Sequence, residues 1–294
     1  MERRTIFSGW LLPAMLVLPQ FALTVVFFLW PAAQAIWSSM TRADPFGIRT
    51  QFVGLENFSD LFADPLYLDT IGRSVLFCAA VAALSMGVAL LLATAADREI
   101  RFRGLYRVLL IWPYAIAPAV AAILWILLLH PQIGLIGRWL NGIGVPWDYK
   151  LNGAEAMLAV IVASAWKQVS YNFIFFLAGL QSIPRAVIEA ARMDGAKGFF
   201  RFRTVVLPLL MPTVFFLLVV NLVYAAFDTF GTIWAMTSGG PGKATETLVV
   251  KVYRDGMVNQ DIGSSSAQSV VLMFGVIVLT ALQFRFLGRR SGGG

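Results

Sequence analysis

Long apolar runs alternate with short polar ones along this chain, and the runs from Thr5 to Thr41, Ser74 to Ala96, Val108 to Gly137, Ala156 to Pro184, Thr204 to Phe227 and Ile262 to Phe284 are each long enough to cross a bilayer, which takes about 20 helical residues. Only the fourth is interrupted by a charge, Lys167. The pattern predicts an all-α polytopic membrane protein with six spans near 11–37, 74–96, 106–129, 156–180, 205–227 and 264–286. Prolines fall inside two of them, Pro113 and Pro118 in the third and Pro208 and Pro212 in the fifth. Each removes a backbone donor and is expected to bend or break its helix, a defect tolerated in a membrane only where protein or a wet cavity covers the freed carbonyls.

Composition agrees with this pattern: 59% of the residues are hydrophobic and 13% charged, outside the range of ordinary soluble domains. An even number of spans puts both ends on one side, and the distribution of Lys and Arg selects the side. The N-terminus (Arg3, Arg4), the 98–107 connection (Arg98, Arg101, Arg103, Arg107), the 185–203 connection (Arg185, Arg192, Lys197, Arg201, Arg203) and the C-terminus (Arg285, Arg289, Arg290) hold fourteen of the 23 cations. Both termini and the 185–203 segment are therefore expected in the cytoplasm, and the connections near 42–73, 130–154 and 228–261 outside. This asymmetry accounts for the net charge of +7 without nucleic acid as a partner.

Several features carry no chemistry. Ala33-Gln34-Ala35 has the small-x-small form of a signal-peptide cleavage site, but the apolar stretch before it is too long for one, so an uncleaved first helix is expected. Cys78 lies in a span and reads as packing; His130 has no ligand cluster near it, so no metal site is expected. Gly242-Lys243-Ala244 lacks the Ser or Thr and the glycine spacing of a phosphate loop. Ser291 to Gly294 reads as a linker scar, leaving residues 1–290 as a single membrane domain without internal repeats.

Between the fourth and fifth runs, residues 182–208 differ in kind. Ser182 is placed to cap a short helix with Pro184 in its first turn. Ile183, Ala186, Val187 and Ala190 recur along one face and Arg185, Glu189 and Arg192 along another. Gly195, after Asp194, supplies the permissive position at which such a helix stops. Pattern alone leaves two readings open: a docking handle for a cytoplasmic partner, or an amphipathic helix lying on anionic headgroups of membrane lipid.

Glu189-Ala190-Ala191, three residues, Gly195, nine residues and Val205-Val206-Leu207-Pro208 resemble the EAA loop of the membrane subunits of bacterial ABC importers, with Val205 at a position where the family carries isoleucine. The likeness to the carbohydrate-importer branch extends from about Gly9 to Phe286 and includes Phe52 to Phe58 and Thr237 to Gly242. IWPYAIAPAVAAILWI (Ile111 to Ile126), AWKQVSYNFIFF (Ala165 to Phe176), LVVNLVYAAFDTF (Leu218 to Phe230) and SSAQSVVLMF (Ser265 to Phe274) resemble the sn-glycerol-3-phosphate importers within that branch. The resemblance implies a type I importer transmembrane domain, a permease and not an enzyme, forming half of a translocation path. It implies as partners a second homologous permease, two copies of an ATP-binding subunit that hold ATP and Mg, and an extracytoplasmic solute-binding protein. Glu189, Ala190, Ala191, Asp194, Gly195, Leu207 and Pro208 would then couple the spans to the ATPase. The implied cargo is sn-glycerol-3-phosphate or related glycerophosphodiesters; a neutral sugar is the alternative.

Polar side chains within spans cost free energy in lipid and are expected to face protein or water. Ser164, Lys167, Gln168 and Tyr171 share a face of the fourth span with Asn172 at its edge, and Asn221, Tyr224 and Asp228 share a face of the fifth. Lys167 among hydroxyl and amide donors suits a phosphorylated solute; a structural pair of Lys167 with a carboxylate such as Asp228 is the other reading. An ion-coupled secondary transporter would carry acids deep in the spans and paired repeats, and a membrane enzyme would need a nucleophile, base or ligand constellation. Neither pattern is present.

Overall fold

The computed structural model describes residues 10–43, 50–97 and 103–291; Arg3, Arg4, Arg98, Arg101 and the terminal glycines of the sequence-based reading lie outside them. Among the described residues five helices are long and apolar enough to cross a membrane, or six when the bent pair Val108–Ala115 and Pro118–Leu129 is counted as one span. The all-α expectation holds, with one small hairpin added. The described residues form two compact units, one comprising those up to Asp64 with Val252–Met273, the other Pro65–Lys251 with those from Phe274 onward.

In the first unit, α1 (Leu11–Ser39) leads into the antiparallel strands β1 (Thr41–Ala43) and β2 (Thr50–Phe52), paired Thr41 to Phe52 and Ala43 to Thr50. The Asn57 amide, near the start of α2 (Glu56–Ala63), donates to the carbonyls of Ser39 (2.8 Å) and Thr41 (2.9 Å) and pins the end of α1. Gly263 passes so close to the Thr41 carbonyl that a Cβ there would collide with it. The Arg42–Asp60 ion pair is exposed on both sides and contributes at most about 1 kcal/mol.

In the second unit, α3 (Pro65–Ala96) packs along α7 (Gly153–Ser182) through Phe77, Val81, Ser85, Ala89 and Ala93. Their four-residue spacing makes one ridge, and the small side chains let the helices approach closely. α3 begins nine residues before the predicted span because Asp69 and Arg73 interrupt the hydropathy but not the helix; Asp69 faces outward, and the Arg73 guanidinium donates to Thr70 Oγ1 at 3.0 Å.

The third span breaks as its prolines predict. α4 (Arg103–Ile111) runs into a 3₁₀ turn, Trp112–Ala115, Ile116 and Ala117 are extended, and α5 (Pro118–Leu129) leaves at 110° with Pro118 in its first turn. α6 (Leu135–Gly142) then folds back under the end of α5. At Gly137 a Cβ would collide with the carbonyls of His130 and Leu129. Gly137→Ala is therefore expected to cost about 1–3 kcal/mol by overpacking, measurable as a lower unfolding temperature in detergent. Trp147 Nε1 donates to the Leu129 carbonyl at 2.8 Å and closes this corner. Burial first, and the Asp148 carboxylate second, raise the pKa of the adjacent Tyr149 phenol above its ordinary value.

In the fifth span the prolines do not break the helix. After α8 (Arg185–Met193), one helix, α9 (Gly198–Asp228), runs unbroken through Pro208 and Pro212, with π-helical turns at Phe202–Val206 and Tyr224–Asp228. Pro208 follows directly on the Phe202–Val206 π turn, and α9 takes in residues 198–203. α10 (Phe230–Thr237), α11 (Leu248–Tyr253) and α12 (Ile262–Ser291) complete the helices.

Candidate functional site

α8 is held at both ends by its own backbone. Its start differs from expectation: Ser182 ends α7, its hydroxyl donating to the Gly179 carbonyl (2.8 Å), and Pro184 takes the cap position, its carbonyl accepting from the Val187 N–H at 3.0 Å. Without an N–H, proline leaves one fewer orphan donor to satisfy. The other end closes as expected on Gly195, whose φ of +80° only glycine adopts without strain. The Gly195 N–H donates to Arg192 and the Ala196 N–H to Ala191, at 3.1 and 2.9 Å, the paired bonds of a Schellman stop with Asp194 at the C-cap.

The face of α8 that packs on its own chain is distinct from the apolar face picked out in the sequence. Ala191 is buried and Ile188 half-buried, with α8 against the Phe202–Val206 turn, while Ala186, Val187 and Ala190 are exposed. Alanines bring little apolar area, so Ile188 sets the rotation of the helix. Arg185, Glu189, Ala190, Arg192 and Met193 are consequently all turned outward, Met193 at 89% exposure, and Phe199 and Phe200 are exposed close by in sequence. Leu207 and Pro208 follow the π turn at the point where α9 resumes α-helical geometry. An exposed methionine is a residue type common at protein contact surfaces.

A second feature lies among the spans. The break of the third span, α7 and α9 line a partly open cavity of about 670 Å³. Tyr114 and Pro118 come from the break, Lys167, Gln168 and Tyr171 from α7, and Tyr224, Asp228 and three valines from α9. Five of the seven predicted polar residues thus share one space. Among the described residues Lys167 and Asp228 form no direct ion pair, but the Asp228 carboxylate lies within electrostatic reach of the ammonium across the same cavity. Tyr171 packs on Tyr114 at 5.6 Å and on Phe175 at 4.7 Å between ring centroids, and the Tyr224 hydroxyl donates to the Ser164 carbonyl at 3.2 Å.

Asn172 and Asn221 depart from the expectation that they line the path: both are fully buried, outside the cavity wall, and bonded to each other. An amide at the edge of a polar face turns toward the neighbouring helix when that helix offers a complementary amide, which compensates its burial. Ser164, on the predicted face, is likewise fully buried and does not line the cavity. Tyr114 was hidden by its aromatic, apolar surroundings; its signal was its place between two span-breaking prolines. Trp125 sits edge-on to Trp166 at 5.9 Å, a packing role.

The family of binding-protein-dependent transport system inner membrane components matches residues 85–291. The sn-glycerol-3-phosphate transport system permease protein UgpA of Rhizobium meliloti is 57% identical over 288 residues, 98% of each chain. The chain belongs to this family. Proteins of the same description from Brucella abortus and Pectobacterium atrosepticum are 58% and 52% identical, over 98% of this chain in each case. Among solved structures, the bacterial alginate ABC transporter in complex with alginate pentasaccharide-bound periplasmic protein shares the fold at a TM-score of 0.78 and 22% identity, over 93% of this chain and 92% of that one. This permease is thus an inner membrane subunit of an ABC transporter with the transmembrane fold of the type I importers.

Proposed function

We propose that this permease forms half of the translocation path for sn-glycerol-3-phosphate and related glycerophosphodiesters. A solute-binding protein delivers the cargo, a second homologous permease supplies the other half, and two ATP-binding subunits hold the ATP and Mg. Both termini and α8 face the cytoplasm, and residues 1–290 act as one transmembrane domain. Glu189 enters a groove on the ATPase subunit and meets basic groups there, with Ala190 allowing close approach. Ala191 packs α8 onto its own chain, Asp194 and Gly195 fix the turn, and Leu207 and Pro208 pass the motion into α9. Closure of the ATPase pair on ATP then swings α8 and, through it, the spans.

The observation that carries the cargo assignment is the cavity. The Lys167 ammonium, in no direct ion pair with Asp228 and beside Gln168 and the tyrosines, offers charge-assisted donors to a phosphate, and the volume of about 670 Å³ lies in the range of small-molecule sites. The relatives named for sn-glycerol-3-phosphate transport, alike over nearly the whole chain, support the same cargo. The test is uptake of labelled sn-glycerol-3-phosphate by the complete complex in phospholipid vesicles. Excess unlabelled glycerophosphodiester is expected to suppress uptake and excess neutral disaccharide to leave it unchanged; the reverse order would assign a sugar cargo.

A further inference from the structure

Three buried polar side chains from three spans meet beside the cavity. Asn221 of α9 accepts at Oδ1 from the Ser85 hydroxyl of α3 (2.8 Å) and from Asn172 Nδ2 of α7 (3.0 Å). Its own Nδ2 donates to Asn172 Oδ1 and to the Leu217 carbonyl, both at 2.7 Å. Asn172 Nδ2 also donates to Ser85 Oγ at 3.1 Å. Both donors and both acceptor positions of Asn221 are used, and all three residues are fully buried.

The closed set is adjacent in sequence to the cavity wall. Asn172 follows Tyr171, Asn221 follows Val220, and the π turn that carries Tyr224 and Asp228 starts three residues after Asn221. The bonds exist in one register only. A slip of α9 by a turn, about 5.4 Å, would strand two amides and a hydroxyl in apolar surroundings, where no water replaces the lost partners. We propose that Ser85, Asn172 and Asn221 are positioning residues of the cavity, locking α3, α7 and α9 in the register that aims Lys167, Tyr171, Tyr224 and Asp228 at one space. This rests on the reading of the cavity as a solute site, and it separates two roles that the polar faces of the fourth and fifth spans combine: Lys167 meets the solute, and the asparagines hold the walls that present it.

The test measures solute imported per ATP hydrolysed by the complete complex in phospholipid vesicles, with binding protein loaded with sn-glycerol-3-phosphate. Asn172→Ala and Asn221→Ala are expected to lower that ratio about tenfold while stimulated hydrolysis stays within about twofold, and the double variant to match either single one, because the three side chains act as a unit. Ser85→Ala lowers the ratio less, about threefold, since it removes the smallest member, and Ser85→Thr, which keeps the hydroxyl, restores it. Uptake and hydrolysis falling in parallel, or single losses that multiply in the double variant, would reduce the set to interhelical glue. Should the asparagine variants fail to assemble, the Ser85 pair decides the question alone. Lys167→Ala, run alongside, separates the two claims. If it leaves the ratio unchanged, the solute reading fails and the inference with it; if it lowers the ratio while the Asn and Ser85 variants do not, the positioning role alone is wrong.

Discussion

Glu189→Arg is expected to reduce the ATP hydrolysis stimulated by loaded binding protein by about two orders of magnitude, while membrane insertion and the amount of permease stay the same. Glu189 is exposed on the outward face of α8, and among the described residues it makes no hydrogen bond or ion pair within the chain, so reversing its charge costs the folded permease little. Once docked against basic groups the same side chain is desolvated. Breaking such a pair at an interface costs about 2–5 kcal/mol, and each 1.4 kcal/mol is a factor of about ten. Hydrolysis and uptake fall together, because the motor no longer grips its lever. Parallel assays of the two in vesicles check this, and unchanged transport would remove Glu189 from the coupling.

The second large effect is expected at the cavity and has the opposite signature. Lys167→Ala leaves stimulated hydrolysis in place and lowers sn-glycerol-3-phosphate imported per ATP by about tenfold or more, the loss of one hydrogen bond to a charged group, about 1.5–3 kcal/mol. Lys167→Arg keeps the charge in a broader planar group and restores part of the ratio. A neutral polyol presented in the same way should lose nothing with Lys167→Ala. Equal losses for charged and neutral solutes would return Lys167 to a structural role, with Asp228 across the same cavity as the nearest candidate partner.

The two signatures arise from two kinds of sequence signal. The spans were legible because twenty apolar residues in a row have few other uses, and the break at Pro113 and Pro118 because proline acts on its own backbone. The stop of α8 at Gly195 was legible for the same reason. The rotation of α8 was not, since it depends on where Ile188 finds a partner, and the start of α3 was hidden because Asp69 and Arg73 lower hydropathy without disturbing helix geometry. The fifth span misled in the other direction: proline alone does not say whether a helix breaks, and the π turn before Leu207 and Pro208, through which α9 continues, has no compositional mark.

Within the candidate site, helical spacing placed Lys167, Gln168, Tyr171, Tyr224 and Asp228 on faces that do converge, because i, i+4 and i+7 geometry is local. It could not separate Asn172 and Asn221 from them. Whether an amide at the edge of a face turns to the cavity or to a neighbour is decided by the neighbour, here Ser85, 136 residues before Asn221. Tyr114 enters the cavity only through the 110° bend, which a linear pattern announces without giving its direction.

The central claim is that α8 is gripped by a separate nucleotide-hydrolysing subunit, and cross-linking from its exposed face tests it most directly. A cysteine at Ala190, treated with a short bifunctional reagent in the purified complex, is predicted to give an adduct with the mass of permease plus ATP-binding subunit, sensitive to nucleotide. Cross-links from Ala190 confined to lipid, or absent while the ATP-binding subunit copurifies, would contradict the account.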